Sequence, residues 1–176
     1  EGNRILIVDT DNQGNALLSF GRNPDELEHS IYDVLVNRQD IKKTIINVYD
    51  NIDILPSNDD MAFFEFDVLT KIKQYPEPFK MLKYKLDEVE HLYDFIIIDT
   101  PPNLGLTQGN ALTSTDEVLI PFQPENYSMR SLVKILAAIY SFKEDHNADL
   151  KVLGVIATLV DQRTVLHSQI LQECRR

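Results

Sequence analysis

One cysteine, Cys174, stands in a chain of 176 residues, so no disulfide can close within it and stability must come from a packed core. That composition fits a reducing cytosol. No apolar run approaches the ~18 residues that a membrane span requires. The opening apolar run, residues 5–8, is too short for the core of a secretion signal. Positive charge is scarce as well: 17 Lys and Arg face 28 Asp and Glu, a formal charge of -11. This excludes a chain that coats nucleic acid with its whole surface, though not a local basic patch. His29, His91, His146 and His167 are scattered and have no cysteine partners, so no metal-ligand cluster is spelled out. Repeats, low-complexity tracts and Gly/Ser linkers are missing, and residues 1–176 are read as one domain.

What is present alternates between two patterns. Short, mostly apolar runs occur at residues 4–8, 52–55, 95–98, 118–120 and 152–160, each stopped by an acidic or Pro-bearing turn. Continuous apolarity, rather than strict alternation, marks strands covered on both faces, as in a parallel sheet. Between these runs lie helical periods. Residues 81–93 place Leu82, Leu86, Val89 and Tyr93 on one face, and a helix opened by Ser128 carries Leu132, Ile135, Leu136, Ile139 and Phe142 as a stripe. Shorter helices are expected at 30–37, 61–73, 107–115 and 165–175. The alternation predicts βαβ units: an α/β fold with a mostly parallel twisted sheet and helices on both faces.

In such sheets ligands bind where the carboxyl ends of the strands emerge. Two strands deliver carboxylates there. Asp99 follows Phe95-Ile96-Ile97-Ile98, the Walker B pattern, in which a carboxylate on a rigid strand holds a magnesium-bound water beside nucleotide phosphates. Asp9-Thr10-Asp11 forms the second acidic end, where one carboxylate reaches a metal's water shell and the other orients a nucleophilic water. Each pattern alone also describes a plain strand-to-loop turn.

Their flanks are more specific. Ile7-Val8-Asp9-Thr10-Asp11-Asn12-Gln13-Gly14-Asn15-Ala16 resembles the switch I segment of the ParA-type partition ATPases, V-D-x-D-P-Q-G-N-A. Residues 93–105, Tyr-Asp-Phe-Ile-Ile-Ile-Asp-Thr-Pro-Pro-Asn-Leu-Gly, resemble that family's Y-D-x-I-I-I-D-x-P-P-x-L-G. Asn110-Ala111-Leu112, the stretch 118–125, Gly154-Val155-Ile156-Ala157-Thr158 and Asp161-Gln162-Arg163-Thr164 follow in the family's order, so the resemblance covers nearly the whole chain. It implies a P-loop NTPase-like three-layer fold and a magnesium-dependent ATPase that dimerises around ATP. It further implies non-specific DNA binding, stimulation by a centromere-binding ParB-like partner, and a role in plasmid or chromosome segregation on the nucleoid. Residue by residue, it implies Asp9 and Asp99 at the Mg2+ shell, Asp11 as the catalytic carboxylate that positions the attacking water, Thr100 and Pro101 in the switch II turn, and Pro124 and Glu125 against the nucleoside. Arg163 is a candidate DNA contact or a simple surface ion pair.

Two departures qualify the match. Asn12 stands where the family has Pro. The family's K-G-G-x-G-K-T phosphate loop has no counterpart, because none of the six glycines is followed by Lys. Without that loop's N–H nest and lysines, tight triphosphate binding by these residues alone is not expected. In the resembled fold the strand before that loop lies beside the Walker B strand, so its lack leaves unpaired strand edges. The expectation is a trimmed chain or, if no such segment exists, swapped or edge-paired oligomers. A non-hydrolysing degenerate relative acting as an interaction module, and a MinD-like division regulator, remain alternatives. A nitrogenase iron protein is excluded by the cysteine count.

Overall fold

The computed structural model describes residues 2–103, 105–125, 128–161 and 163–174. They fall into two compact units, Glu1–Ser114 and Thr115–Arg176. In the first unit, β1 (Ile5–Asp9) is followed by the short helices α1 (Asn15–Leu18), α2 (Ile31–Leu35) and α3 (Ile41–Thr44). Then come β2 (Ile46–Tyr49), β3 (Ile52–Leu55), α4 (Phe64–Thr70), α5 (Met81–Leu86), β4 (Phe95–Asp99) and α6 (Leu106–Thr113). Side chains open several of these helices by satisfying otherwise orphaned N–H groups. Asp33 accepts the Ser30 N–H at 2.9 Å and Asp40 accepts the Lys42 N–H at 2.9 Å, and Asn58 opens the 3-10 turn before α4 by accepting the Asp60 N–H at 3.2 Å.

The sheet runs β2-β3-β1-β4, with β1 parallel to both β3 and β4. Its inward positions, Leu6, Val8, Leu55, Ile96 and Ile98, meet Ile31, Val34, Phe64, Val68, Leu82, Leu86 and Leu106 from the helices in one apolar core. Among the described residues strand β4 is an edge that pairs with β1 alone, and Phe95 and Ile97 are more than half exposed.

The second unit is a single βαβ crossover. Strand β5 (Glu117–Phe122) and β6 (Lys151–Ala157) pair in parallel, joined by α7 (Ser128–His146) and followed by α8 (Val165–Cys174). The α7 stripe read from sequence buries Leu132 and Ile139 fully and the other three in part.

Two readings need correction. The helix expected over residues 81–93 stops at Leu86, and the chain continues in tighter 3-10 turns, with the Val89 N–H bonded to the Leu86 carbonyl at 2.9 Å. The tightening delivers the Tyr93 hydroxyl to Asp53 at 2.8 Å, a contact that a continued α-helix would not make. The antiparallel strand β2 was also unforeseen. It forms a hairpin with β3 through Asn51, whose φ of 61° is one that asparagine tolerates.

Candidate functional site

Strands β1 and β4 pair in register through their last residues, so Asp9 stands directly beside Asp99 at the carboxyl edge of the sheet. The junction is fastened by Thr10, a buried residue. Its N–H donates to the Asp99 carbonyl at 3.0 Å, and its hydroxyl donates to the same oxygen at 2.7 Å. The two acidic strand ends are therefore one structural piece.

The loop after β1 is organised by its own carboxylates. Asp9 is 0% exposed and engages both oxygens: one accepts the Asp11 N–H at 3.0 Å, the other the Ala16 N–H at 3.1 Å. Asp11 accepts the Gln13 N–H at 3.0 Å through its side chain and the Gly14 N–H at 3.1 Å through its carbonyl, giving a tight Asx-type turn. Gly14 completes that turn at φ 62°, ψ 25°, where a Cβ would also come within 2.7 Å of the Pro24 ring. Only glycine satisfies both conditions. Asn12, in the place of the family's Pro, sits half-buried inside this turn, so hydrogen bonds supply the rigidity that a ring would have given.

The second acidic end leads into Thr100, Pro101 and Pro102, an irregular turn that reaches α6 through Gly105. A Cβ on Gly105 would lie 2.5 Å from the Glu65 carboxylate, so α4 packs an acidic side chain directly against this turn. Further along α6, Asn110 is buried and saturated: its carbonyl oxygen accepts the Leu82 N–H at 3.0 Å, and its amide donates to the Pro78 and Leu106 carbonyls at 2.8 and 3.0 Å.

Asp9, Asp11, Asp99, Thr100 and Pro101 are thus gathered at one edge of the first unit. Pro124, buried, and Glu125, exposed, belong to the second unit, in the loop after its β5. Arg163 lies there too and forms a surface ion pair, its Nε and Nη2 each 2.9 Å from the Asp161 carboxylate. Sequence reasoning missed Thr10 and Glu65, whose partners lie 89 residues away in the first case and across a different loop in the second.

The electrostatics of the edge are those of an anionic site. Burial raises the Asp9 carboxyl from its ordinary 3.8 to about 6, against the two N–H bonds that lower it, with Asp99 and Asp11 raising it further. Asp99 is raised for the same reasons, burial first and then the charge of Asp11. Oxygen-only, negatively charged donors suit a hard cation such as Mg2+. Among the described residues no three His, Cys, Asp or Glu side chains converge to cage an ion. No helix among those residues is long and apolar enough to cross a membrane.

The raised Asp9 carboxyl has a measurable consequence. Its folded-state value exceeds the unfolded one, so its stabilising protonation is fully present below pH 3.8 and is lost as pH rises through about 6. That loss amounts to at most about 3 kcal/mol. Urea titrations from pH 4 to 7 should show wild-type stability falling relative to Asp9→Asn across this window. Parallel curves for the two proteins would refute it.

The chain as a whole resembles known proteins. A family model described as an AAA domain matches residues 1–152. The chain is 36% identical over 176 residues to the sporulation initiation inhibitor protein Soj of Bacillus subtilis, covering 99% of this chain and 68% of that protein. It is 34% identical over 173 residues to the chromosome partitioning protein ParA of Myxococcus xanthus, covering 98% and 60%. Among solved structures, the cobyrinic acid a,c-diamide synthase from Mycobacterium smegmatis with bound ATP analog and magnesium aligns with a TM-score of 0.90 at 32% identity. That alignment covers 98% of this chain and 69% of that one. The chain spans about two thirds of the length of these relatives. Their shared fold is the P-loop NTPase-like one, mostly parallel strands with helices on both sides.

Proposed function

Since the chain belongs to the ParA/Soj family of partition ATPases, we propose that it carries the two switch segments of an ATPase that hydrolyses Mg-ATP at a homodimer interface to segregate a plasmid or chromosome. The observation that carries this reading is the in-register pair Asp9 and Asp99, locked by Thr10, with Asp11 on the loop between β1 and α1.

In this reading Asp99 and Asp9 hold the water shell of Mg2+, the ion supplying positive charge against the phosphate oxygens. Asp11, freed from chelation, orients the water that attacks the γ-phosphoryl group. Thr100 and Pro101 form the turn that registers whether that group is present. Pro124 and Glu125 pack against the nucleoside. The 176 residues hold no glycine- and lysine-bearing phosphate loop, and among the described residues β4 is an open edge of its sheet. Non-specific DNA and a centromere-binding, ParB-like protein are the partners, in the bacterial cytoplasm on the nucleoid.

The test is phosphate release by the intact gene product with ATP, Mg2+, DNA and its centromere-binding partner. Turnover that needs Mg2+ and falls at least ~10²-fold in Asp99→Asn is expected. Unchanged turnover in that variant would sink the assignment, and a wild-type protein that binds ATP without turnover would favour the degenerate-relative reading.

A further inference from the structure

The turn that follows Asp99 ends on Gly105, and the backbone there does not ask for glycine. Its φ of -146° and ψ of -162° are extended angles that any residue adopts. What excludes a side chain is Glu65. A Cβ on Gly105 would lie 2.5 Å from Oε2 of Glu65 and 3.3 Å from its Cδ and Oε1, and these are the three nearest atoms. A carboxylate from α4 thus fills the place of the side chain that the opening residue of α6 lacks.

That place has a chemical use. Gly105 is the N-cap residue of α6, and the Gly109 N–H is bonded to the Gly105 carbonyl at 3.0 Å. The N–H groups of Leu106, Thr107 and Gln108 therefore precede the helix's own ladder. Such groups are ordinarily met by a Ser, Thr, Asp or Asn side chain at the cap. Gly105 offers none, and the first turn of α6 contains no acidic residue. Glu65, half-buried, brings negative charge to the end of the helix that favours it. Among the described residues no ion pair with Lys, Arg or His accounts for this carboxylate. Both helices are seated in the same core, α4 through Phe64 and Val68 and α6 through Leu106, so the carboxylate is held from a fixed base.

We infer that Glu65 caps α6 from α4, standing in for the side chain of Gly105, and so fixes the end of the turn that begins at Thr100 and Pro101. The other end is fixed by Thr10 through the Asp99 carbonyl. Glu65 is a positioning residue, and its action on turnover passes through the backbone at Gly105. That action rests on the ATPase reading above, whereas the cap itself does not.

The test compares four variants of the intact gene product: Glu65→Ala, Gly105→Ala, Glu65→Ala combined with Gly105→Ala, and Glu65→Ala combined with Gly105→Ser. Hydrogen exchange at the amides of residues 105–108 should be ~10-fold faster in Glu65→Ala, as for a lost N-cap, with the β1 amides unchanged. Gly105→Ala should do the same, because its methyl group displaces the carboxylate. The double alanine variant should then be no worse than either single one. Serine at 105 beside Ala at 65 puts a hydroxyl at the cap and should restore slow exchange. In phosphate release, Glu65→Ala and Gly105→Ala should each lower kcat by ~5–10-fold with ATP affinity within ~3-fold of wild type, and the serine variant should recover it. Wild-type exchange in Glu65→Ala, additive alanine effects, no recovery with serine, or equal acceleration of the β1 amides would each overturn the cap. The expected exchange pattern with wild-type kcat in every variant would overturn the positioning role. Exchange is read without nucleotide, so that pattern in a protein that hydrolyses no ATP would support the cap and refute the ATPase reading.

Discussion

Replacing Asp11 by alanine in the intact gene product is expected to lower ATP turnover by ~10²–10⁴-fold, the range lost when a positioned acid-base group is removed. Of the three carboxylates at this edge, Asp9 is buried with both oxygens engaged, and Asp99 is the last residue of a paired strand. Asp11 alone sits on the loop, half-buried, with one oxygen committed to the Gln13 N–H. Its second oxygen is the one that can accept a proton or a hydrogen bond from water. A drop in turnover could also arise if the loop collapsed, and Asp11→Asn separates the causes. Asparagine keeps an oxygen for the Gln13 N–H and so keeps the turn, but it removes the charge and the basicity. If Asp11 acts on water, both variants lose kcat while ATP affinity changes less than ~3-fold. If Asp11 only shapes the loop, Asn restores turnover and Ala does not. Steady-state phosphate release together with equilibrium nucleotide binding reads both quantities, and full activity in Asp11→Ala ends the assignment.

The resemblance assigned Asp11 a different role from Asp9 and Asp99, but the sequence did not show which of the three is buried with its oxygens engaged. Composition and apolar runs located β1, β3, β4, β5 and β6, since strands covered on both faces leave a continuous signal. Strand β2 escaped because Ile46-Asn47-Val48-Tyr49 alternates, and its pairing is an edge hairpin rather than a buried run. The end of α5 escaped because a distant partner, Asp53, decides where Tyr93 goes. The same limit applies at the site. Motif order brought Asp9, Asp11 and Asp99 forward as a group, but the register that sets Asp9 beside Asp99 is a property of strand pairing. The Thr10 hydroxyl occupies a position at which the motif itself tolerates any residue. Glu65 carries no local signal, because its significance depends on the missing Cβ of Gly105, two helices further along the chain.

Asn110 illustrates a long-range dependence with a large energetic consequence. Asn110→Ala removes an acceptor from the Leu82 N–H at the start of α5 and a donor from the Pro78 carbonyl just before it. The Leu82 N–H is buried and the Pro78 carbonyl partly so, and a buried group left unsatisfied costs about 1–3 kcal/mol, so a loss of about 2–3 kcal/mol is expected. Asn110→Asp is the more revealing substitution. It keeps an oxygen for the Leu82 N–H, but it turns the amide that donated to two carbonyls, at 2.8 and 3.0 Å, into a second acceptor. An ionised carboxylate there faces two oxygens with nothing to donate, whereas the protonated acid restores one of the two bonds. The carboxyl introduced must therefore titrate above its unfolded value, and its stabilising protonation is lost as pH rises through that higher value. Asn110→Asp should be less stable than Asn110→Ala at pH 7 and recover toward wild type near pH 4. Denaturant midpoints of the three proteins at both pH values measure this. A variant equally stable at the two would show that α6 is not held through this side chain. The link to function is the turn that precedes α6: Thr100 and Pro101 can respond to a phosphate only if the helix they lead into has a fixed seat. The less disruptive Asn110→Ser, assayed below its melting range, should then lower kcat while leaving nucleotide affinity near wild type.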